Sequence, residues 1–106
     1  MSQTLEIIKL LLADGKVRIS EHGYDELAAD GLFVRDLVEG LVDAELLEDY
    51  PDFPKGPCIL VLERDRNRQP VHVVWGIPKG RMDPAVLITA YRPEASRWSD
   101  DFRRRK

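Results

Sequence analysis

Three apolar runs in the second half of the chain constrain its fold more than any other feature. Residues 58–62, 71–77 and 85–91 are rich in the aliphatic residues typical of β-strands, and short polar segments separate them. Parallel neighbours need a dozen or more residues to cross over, so these links favour antiparallel hairpins. Residues 45–50 form a fourth run, whose charges suit the edge of a sheet. The sequence therefore predicts an antiparallel sheet.

The first half of the chain has helical periodicity instead. Apolar residues recur at helical spacing over residues 5–12, and Ser2 can cap this helix. Two further helices are predicted over residues 21–29 and 34–42, after a short extended segment at residues 17–20. Because helices come first and strands afterwards, the chain is predicted to be α+β, with N-terminal helices packed on one face of a sheet of three to five strands.

Length and composition limit the class of protein. A chain of 106 residues has room for a single domain, residues 1–106. Its one cysteine, Cys58, excludes an intramolecular disulfide and a cysteine zinc cluster, and it is expected to be a small buried hydrophobe. The apolar stretches are shorter than the ~20 residues of a membrane span, and the N-terminus lacks a signal-peptide pattern. We therefore expect a cytoplasmic protein that does not enter the membrane.

Charge is distributed unevenly along the chain. Residues 1–54 hold thirteen acidic and four basic residues, whereas residues 55–106 hold twelve basic and six acidic ones. The overall charge of −3 therefore conceals a cationic half. Such a half can attract a polyanion, since exposed charges act mainly within about 8 Å at physiological salt. Alternatively, the two halves are simply solvated faces.

The two histidines are candidate acid/base groups. His22 falls at the start of the second helix, where the helix dipole favours a neutral imidazole that can act as a base. His72 interrupts an apolar strand, and side-chain alternation places it on one face with Val74 and Gly76. Gly76 would leave space for a cleft beside it. The alternatives are a surface histidine at a helix start and a half-buried histidine bonded to a neighbour.

The last predicted strand ends in Tyr91 and Arg92, a pair that can bind and polarise a phosphate. The same pair also suits an aromatic plug beside a solvated arginine. Trp98 and Phe102, four residues apart, are expected to attach a terminal helix to the core. The basic tail, residues 99–106, is expected to be disordered or to follow a phosphate backbone.

Absent motifs narrow the chemistry further. The sequence has no glycine-rich phosphate loop, no metal-ligand spacing and no nucleophile elbow, so no cofactor or metal is predicted. Acid/base cleavage of RNA is the chemistry that suits the remaining candidates, which are histidine, arginine, lysine and tyrosine residues without a metal-ligand motif. In that reaction a ribose 2′-OH attacks the neighbouring phosphorus, one group accepts its proton and another protonates the leaving oxygen.

Four short motifs occur in an order and spacing that resemble a bacterial family, domain of unknown function 4258. They are residues 19–22 (ISEH), 49–56 (DYPxxPKG), 70–74 (PVHVV) and 88–98 (ITAYxPx₄W). The resemblance extends from Val17 to Arg105. That family is regarded as similar to RelE-like ribonuclease toxins, often encoded beside a small zinc-finger antitoxin. The resemblance implies a RelE-like fold with a curved antiparallel sheet, and RNA cleavage that an antitoxin partner inhibits.

The leading hypothesis is thus a metal-independent ribonuclease within a toxin–antitoxin pair. The residues assigned to it are His22 and His72 as acid and base, Tyr91 as an orienting group, and Lys79, Arg81 and Arg92 as RNA contacts.

Two positions depart from the family pattern. Glu26 and Asp30 stand where the family has arginines, and carboxylates there would repel a phosphate. This departure favours a second hypothesis, a non-catalytic module that binds RNA or a protein partner. Alternatively, Glu26 could orient His22, one helical turn away. A weaker third hypothesis is a small-ligand pocket between the sheet and the helices.

Overall fold

The computed structural model describes residues 2–106 as three helices and a five-stranded sheet. The elements are α1 (Gln3–Ala13), β1 (Val17–Ile19), α2 (Glu21–Asp30), α3 (Val34–Gly40), β2 (Glu45–Tyr50), β3 (Cys58–Arg64), β4 (Pro70–Gly76) and β5 (Ala85–Tyr91), with one 3₁₀ turn at Leu41–Asp43. The predicted α+β class is confirmed, because the three helices pack on a sheet that does not close into a barrel.

The helix ends follow local sequence signals. The Ser2 side chain accepts a hydrogen bond from the Leu5 N–H at 3.1 Å, and the Ser20 side chain accepts one from the Gly23 N–H at 2.9 Å. α2 ends at Gly31, which adopts a left-handed conformation with φ of 64°. The predicted starts of α1 and α2 are therefore confirmed.

The second and third helices bury few side chains. In α2, Leu27 is buried, whereas Tyr24 and Ala28 are exposed. α3 was expected to reach Val42, but the chain tightens into a 3₁₀ turn after Gly40. Leu37 and Leu41 still reach the core from these two elements, so the tighter turn preserves their burial.

The sheet is mixed rather than wholly antiparallel. Its order is β1-β5-β4-β3-β2; β1 runs parallel to β5, and the other neighbours are antiparallel. β5 pairs with β4 along one side, and without β1 the N–H and C=O groups along its other side would be unpaired. The three residues of β1 occupy this edge, and the Ala85 N–H donates to the Lys16 carbonyl at 2.9 Å just before it.

The two faces of the sheet differ. One face packs against the helices and supplies core residues such as Val71, Val73 and Trp75. The other, here called the outer face, carries His72, Val74 and Gly76, as alternation along β4 predicts. His72 lies directly between Leu62 of β3 and Tyr91 of β5 in register.

The residues after β5 form a hairpin, not the expected helix. Trp98 pairs with Arg105 in an isolated antiparallel bridge, and the Ser99 N–H donates to the Arg104 carbonyl at 2.8 Å. We call residues 97–106 the C-terminal hairpin. Trp98 is buried, and two arginines bind the edge strand β2: Arg103 contacts Glu45, and Arg105 contacts Glu48. The basic tail therefore lies against the sheet.

Among residues 2–106, no helix is long and apolar enough to cross a membrane. Cys58 is buried, as expected, and burial raises the pKa of its thiol.

Candidate functional site

His72 lies at the centre of a hydrogen-bonded chain under the C-terminal hairpin. Its Nε2 is 2.8 Å from the Phe102 carbonyl oxygen, and its Nδ1 is 3.3 Å from the Tyr91 hydroxyl oxygen. Since a carbonyl can only accept, Nε2 carries the proton and Nδ1 accepts a long hydrogen bond from Tyr91. The Trp98 ring contacts the imidazole edge-on, with ring centroids 4.2 Å apart.

The expectation that His72 opens onto a cleft is wrong. The residue has no exposed surface, because the hairpin residues Trp98 and Phe102 cover it. Burial lowers the pKa of His72, although the Phe102 carbonyl acts in the opposite direction. The imidazole is therefore held neutral, and it cannot touch a substrate while the hairpin is in place.

Tyr91 lies between the buried His72 imidazole and the solvent. It lines an open cavity of about 660 Å³ beside the hairpin, here called the hairpin cavity. Burial raises the pKa of its phenol. The cavity is also lined by three carboxylates and four cations: Glu26, Asp30, Glu94, Arg92, Arg97, Arg105 and Lys106. Because both signs of charge are present in similar number, this cavity is a poor site for a polyanion.

His22 is exposed on α2 and does not meet His72. Its Nε2 lies 3.4 Å from a carboxylate oxygen of Glu26, one helical turn away, as the spacing predicted. Glu26 lines the hairpin cavity, so His22 is joined to that cavity through Glu26 alone. The structure therefore brings together His72 and Tyr91 and leaves His22 as a separate, exposed pair with Glu26.

The three predicted RNA contacts fall at two ends of the sheet. Arg92 follows Tyr91, and its guanidinium donates to the Asp65 carboxylate at 2.9 Å. Lys79 and Arg81 are exposed in the turn between β4 and β5, at the opposite end of both strands from Tyr91. These residues therefore do not form one site with His72, and their role in RNA binding stays a prediction.

The end of the sheet that carries Lys79 and Arg81 has an opening of its own. A groove of about 470 Å³, here called the sheet-end groove, lies on the outer face of β4 and β5. Gly76, Val86 and Ile88 form an apolar floor, while Arg18 and Phe53 lie at its sides. Phe53 is 46% exposed although it is a large apolar residue, so its ring is available to a ligand.

The loop before β3 is fixed against the end of β4 and builds one wall of this groove. Its residue Lys55 accepts a backbone hydrogen bond from the Lys79 N–H at 3.1 Å. Gly56 has φ of 122°, and a Cβ there would lie 2.0 Å from the Ile77 carbonyl oxygen. Only glycine allows so close an approach. Phe53 and Lys55 both belong to this constrained turn, which the Gly56 N–H closes by donating to the Phe53 carbonyl at 2.9 Å.

The charged residues that line the groove are both cations. Arg18 and Lys55 line the groove, and Lys79 and Arg81 are exposed in the adjoining turn. Within residues 2–106, none of these four side chains makes an ion pair. Sequence reasoning missed Arg18, Phe53 and Lys55. Arg18 reaches the groove through the parallel pairing of β1 with β5, and Phe53 and Lys55 reach it through the loop before β3. The proline- and glycine-rich motif at residues 49–56 was the available signal for the loop.

In the part of the chain that the structure describes, no group of three histidine, cysteine or acidic side chains is arranged to bind a metal ion.

Comparison with known proteins shows the family. The model of a family described as Domain of unknown function (DUF4258) matches residues 19–92, so the chain belongs to this family. No curated protein and no solved structure matches the chain.

Proposed function

We propose that this member of the family is an RNA-binding domain that holds single-stranded RNA in the sheet-end groove. The observation that carries the proposal is the group of four cations without ion pairs, around an apolar floor with an exposed phenylalanine. Proteins bind single-stranded nucleic acid with this combination, because cations follow the phosphates while aromatic rings stack on the bases.

The overall negative charge does not oppose this binding. At physiological salt, exposed charges more than about 8 Å apart are largely screened from each other. A phosphate in the groove would therefore experience Arg18, Lys55 and their neighbours more than the acidic helices. A polyanion is also favoured over a neutral ligand, because its binding releases the counterions that are condensed on its phosphates.

The hairpin cavity is the weaker candidate for RNA binding. Three carboxylates line it, and two of its arginines are committed to carboxylates outside it, Arg92 to Asp65 and Arg105 to Glu48. Glu26 and Asp30, which replace family arginines, both lie in this cavity. These two acidic replacements therefore disfavour a phosphate in the hairpin cavity, and neither of them lines the sheet-end groove.

The RelE-like resemblance supports RNA as the polyanion. In that hypothesis the domain is a toxin or a degenerate relative of one, and a small antitoxin protein is its partner. An α+β domain with helices on one face of its sheet is compatible with this assignment.

Cleavage of RNA without a metal is the second candidate, and the Tyr91–His72–Phe102 chain is the observation that favours it. Tyr91 would accept the proton of a ribose 2′-OH in the hairpin cavity as its own proton passes to Nδ1 of His72. The 2′-oxygen would then attack the phosphorus as the bond to the 5′-oxygen breaks, and the departing 5′-oxygen would take a proton from water. The resulting imidazolium would keep its Nε2–H bond to Phe102. The lowered pKa of His72 and the raised pKa of Tyr91 both oppose this transfer, which is why binding ranks above cleavage.

RNA binding is tested by fluorescence anisotropy with a labelled single-stranded RNA at fixed salt. Phe53→Ala should weaken binding about tenfold through the loss of one stacked base. Phe33→Ala is the matched control, because Phe33 is similarly exposed but lies at the start of α3. No binding by the unmodified chain, or equal losses in the two variants, would contradict the proposal.

Cleavage is tested by incubating the purified chain with single-stranded RNA in the presence of EDTA. If the second candidate holds, products with 2′,3′-cyclic phosphate ends appear, and Tyr91→Phe slows their formation at least ~100-fold. RNA that is bound but stays intact would leave the non-catalytic module as the function.

A further inference from the structure

The sheet-end groove and His72 lie along the same face of the same strand, the outer face of β4. Gly76 forms the floor of the groove, and Val74 and His72 follow it on the outer face of β4. Gly76 lies four positions beyond His72 along the strand, a distance of about 13 Å. Val74 between them is only half-buried. The C-terminal hairpin covers the His72 end of this face.

The hairpin is attached by the buried Trp98 ring, by the Phe102 carbonyl and by two ion pairs, and a polyanion can replace the ion pairs. Arg103 and Arg105 contact carboxylates of β2, and these four side chains are 28% to 62% exposed. The guanidinium of Arg105 also lies over the Trp98 ring, 4.7 Å from its centroid. Phosphate is as good a partner for arginine as carboxylate. An RNA strand close to the edge of the sheet therefore competes directly for both arginines.

Backbone conformation also favours release. Phe102, whose carbonyl is bonded to His72, has φ of 61°, a left-handed conformation that a bulky residue rarely adopts. Such strain persists only while surrounding contacts maintain it. Loss of the two arginine contacts removes part of that support.

We propose that the C-terminal hairpin is a displaceable cover over a continuation of the RNA groove, and that bound RNA opens it to expose His72. The cover explains why a polar residue in an apolar strand has no exposed surface: the Phe102 carbonyl satisfies it until the cover moves. This inference rests on the proposed RNA binding, because the RNA supplies the competing phosphates. The cover itself is a property of the free protein and can be tested without RNA.

Acylation by diethylpyrocarbonate, followed by mass spectrometry, measures the accessibility of the two histidines. In the unmodified chain His22 should react fast and His72 slowly, because only His22 is exposed. The Glu45→Lys/Glu48→Lys variant removes both arginine contacts, and His72 should then react at least tenfold faster. Glu21→Lys/Asp25→Lys is the control, since it makes the same change of charge on α2, away from the hairpin.

The result that would overturn the cover is a His72 that stays protected in the Glu45→Lys/Glu48→Lys variant, or that is freely reactive in the unmodified chain. Circular dichroism checks that the variant is folded; if it is not, Arg103→Gln/Arg105→Gln replaces it with the same expected increase.

Opening by RNA is a separate measurement on the unmodified chain. Saturating single-stranded RNA should raise the reaction rate of His72 at least tenfold, and unchanged protection in the bound complex would contradict opening. Failure of RNA to bind at all would contradict the proposed function, whereas the acylation of the β2 variant would still decide whether the hairpin is a cover.

Discussion

At the scale of single residues, Glu63 has the most unusual environment in the molecule. Its side chain is buried at the end of β3; Oε2 accepts a hydrogen bond from Trp75 Nε1 at 2.9 Å, while Oε1 has no partner among residues 2–106. Burial raises the pKa of this carboxyl to about 8. Glu63 is therefore protonated in the folded protein at neutral pH, whereas in the unfolded chain it ionises above about pH 4.5.

Glu63 should make stability depend on pH. Between about pH 4.5 and pH 8 the folded state binds the proton that the unfolded state has lost, so the free energy of unfolding falls as pH rises. From pH 5 to pH 8 the loss is on the order of 3 kcal/mol. Glu63→Gln keeps an acceptor for Trp75 and should remove this slope in urea denaturation.

The matched control for Glu63 is Glu39→Gln, which alters an exposed carboxylate on α3 and should leave the slope as it is. A slope that is the same in the unmodified chain and in Glu63→Gln would mean that Glu63 is ionised in the folded protein.

His72 should also make the free energy of unfolding depend on pH, but at acidic pH. Its folded pKa is lowered, so the unfolded chain takes up a proton below about pH 6.5 that the folded protein resists, and stability falls as pH drops. In an NMR titration, the imidazole signals of His72 should show that this ring stays neutral below pH 6.5. Protonation of His72 already at pH 6.5 would contradict its sealed environment.

At the scale of elements, local sequence signals predicted where helices and strands lie better than they predicted how the strands pair. Ser2 marked the start of α1, and the apolar runs marked β3, β4 and β5. The parallel pairing of β1 with β5 was not predictable from three residues, because it depends on which edge of the sheet stays free.

The hairpin at the end of the chain was mistaken for a helix for a related reason. Trp98 and Phe102 have helical spacing, yet their positions are determined by contacts with His72 and β2 that are distant in sequence. The candidate site shows the same limit. The sequence identified His72 and Tyr91 as candidate site residues, but it could not show that they are register partners or that the hairpin covers His72.

The turn at Gly56 gives a prediction at this scale. Gly56→Ala places a methyl group 2.0 Å from the Ile77 carbonyl oxygen at a φ that alanine rarely adopts, so the loop must move. The free energy of unfolding should fall by more than about 2 kcal/mol in urea denaturation.

Gly80→Ala is the control for Gly56→Ala. Gly80 also has a positive φ, of 74°, but no atom lies within 4 Å of its would-be Cβ, so about 1 kcal/mol is expected. Equal losses in the two variants would show that backbone conformation alone, and not the close approach to β4, requires glycine at position 56.

At the scale of the whole molecule, the arrangement of charge matters more than its sum. The cations near the C-terminus are partly neutralised, because Arg103 and Arg105 contact Glu45 and Glu48 more than fifty residues away in sequence. The cations at the sheet-end groove have no such partners in the described part of the chain. The uneven distribution along the sequence predicted a polyanion partner, but only the fold shows which cations are available to it.

The dependence of RNA affinity on salt should report this number of free cations. Four phosphate contacts predict a slope of log K against log salt of about −3 for single strands. Lys79→Gln/Arg81→Gln should flatten the slope by about 1.4, since two contacts are lost. Lys9→Gln/Arg35→Gln removes the same charge from the helices and should have little effect; equal flattening by both pairs would indicate attraction without a defined site.

The most direct test of RNA binding at the sheet-end groove is NMR mapping of a short single-stranded RNA on the unmodified chain. The backbone amide signals of Arg18, Lys55, Gly76 and Ile88 should shift at substoichiometric RNA and saturate together, because these residues line the groove. If those four signals stay in place while the RNA is bound, the RNA binds elsewhere and the groove is not the site.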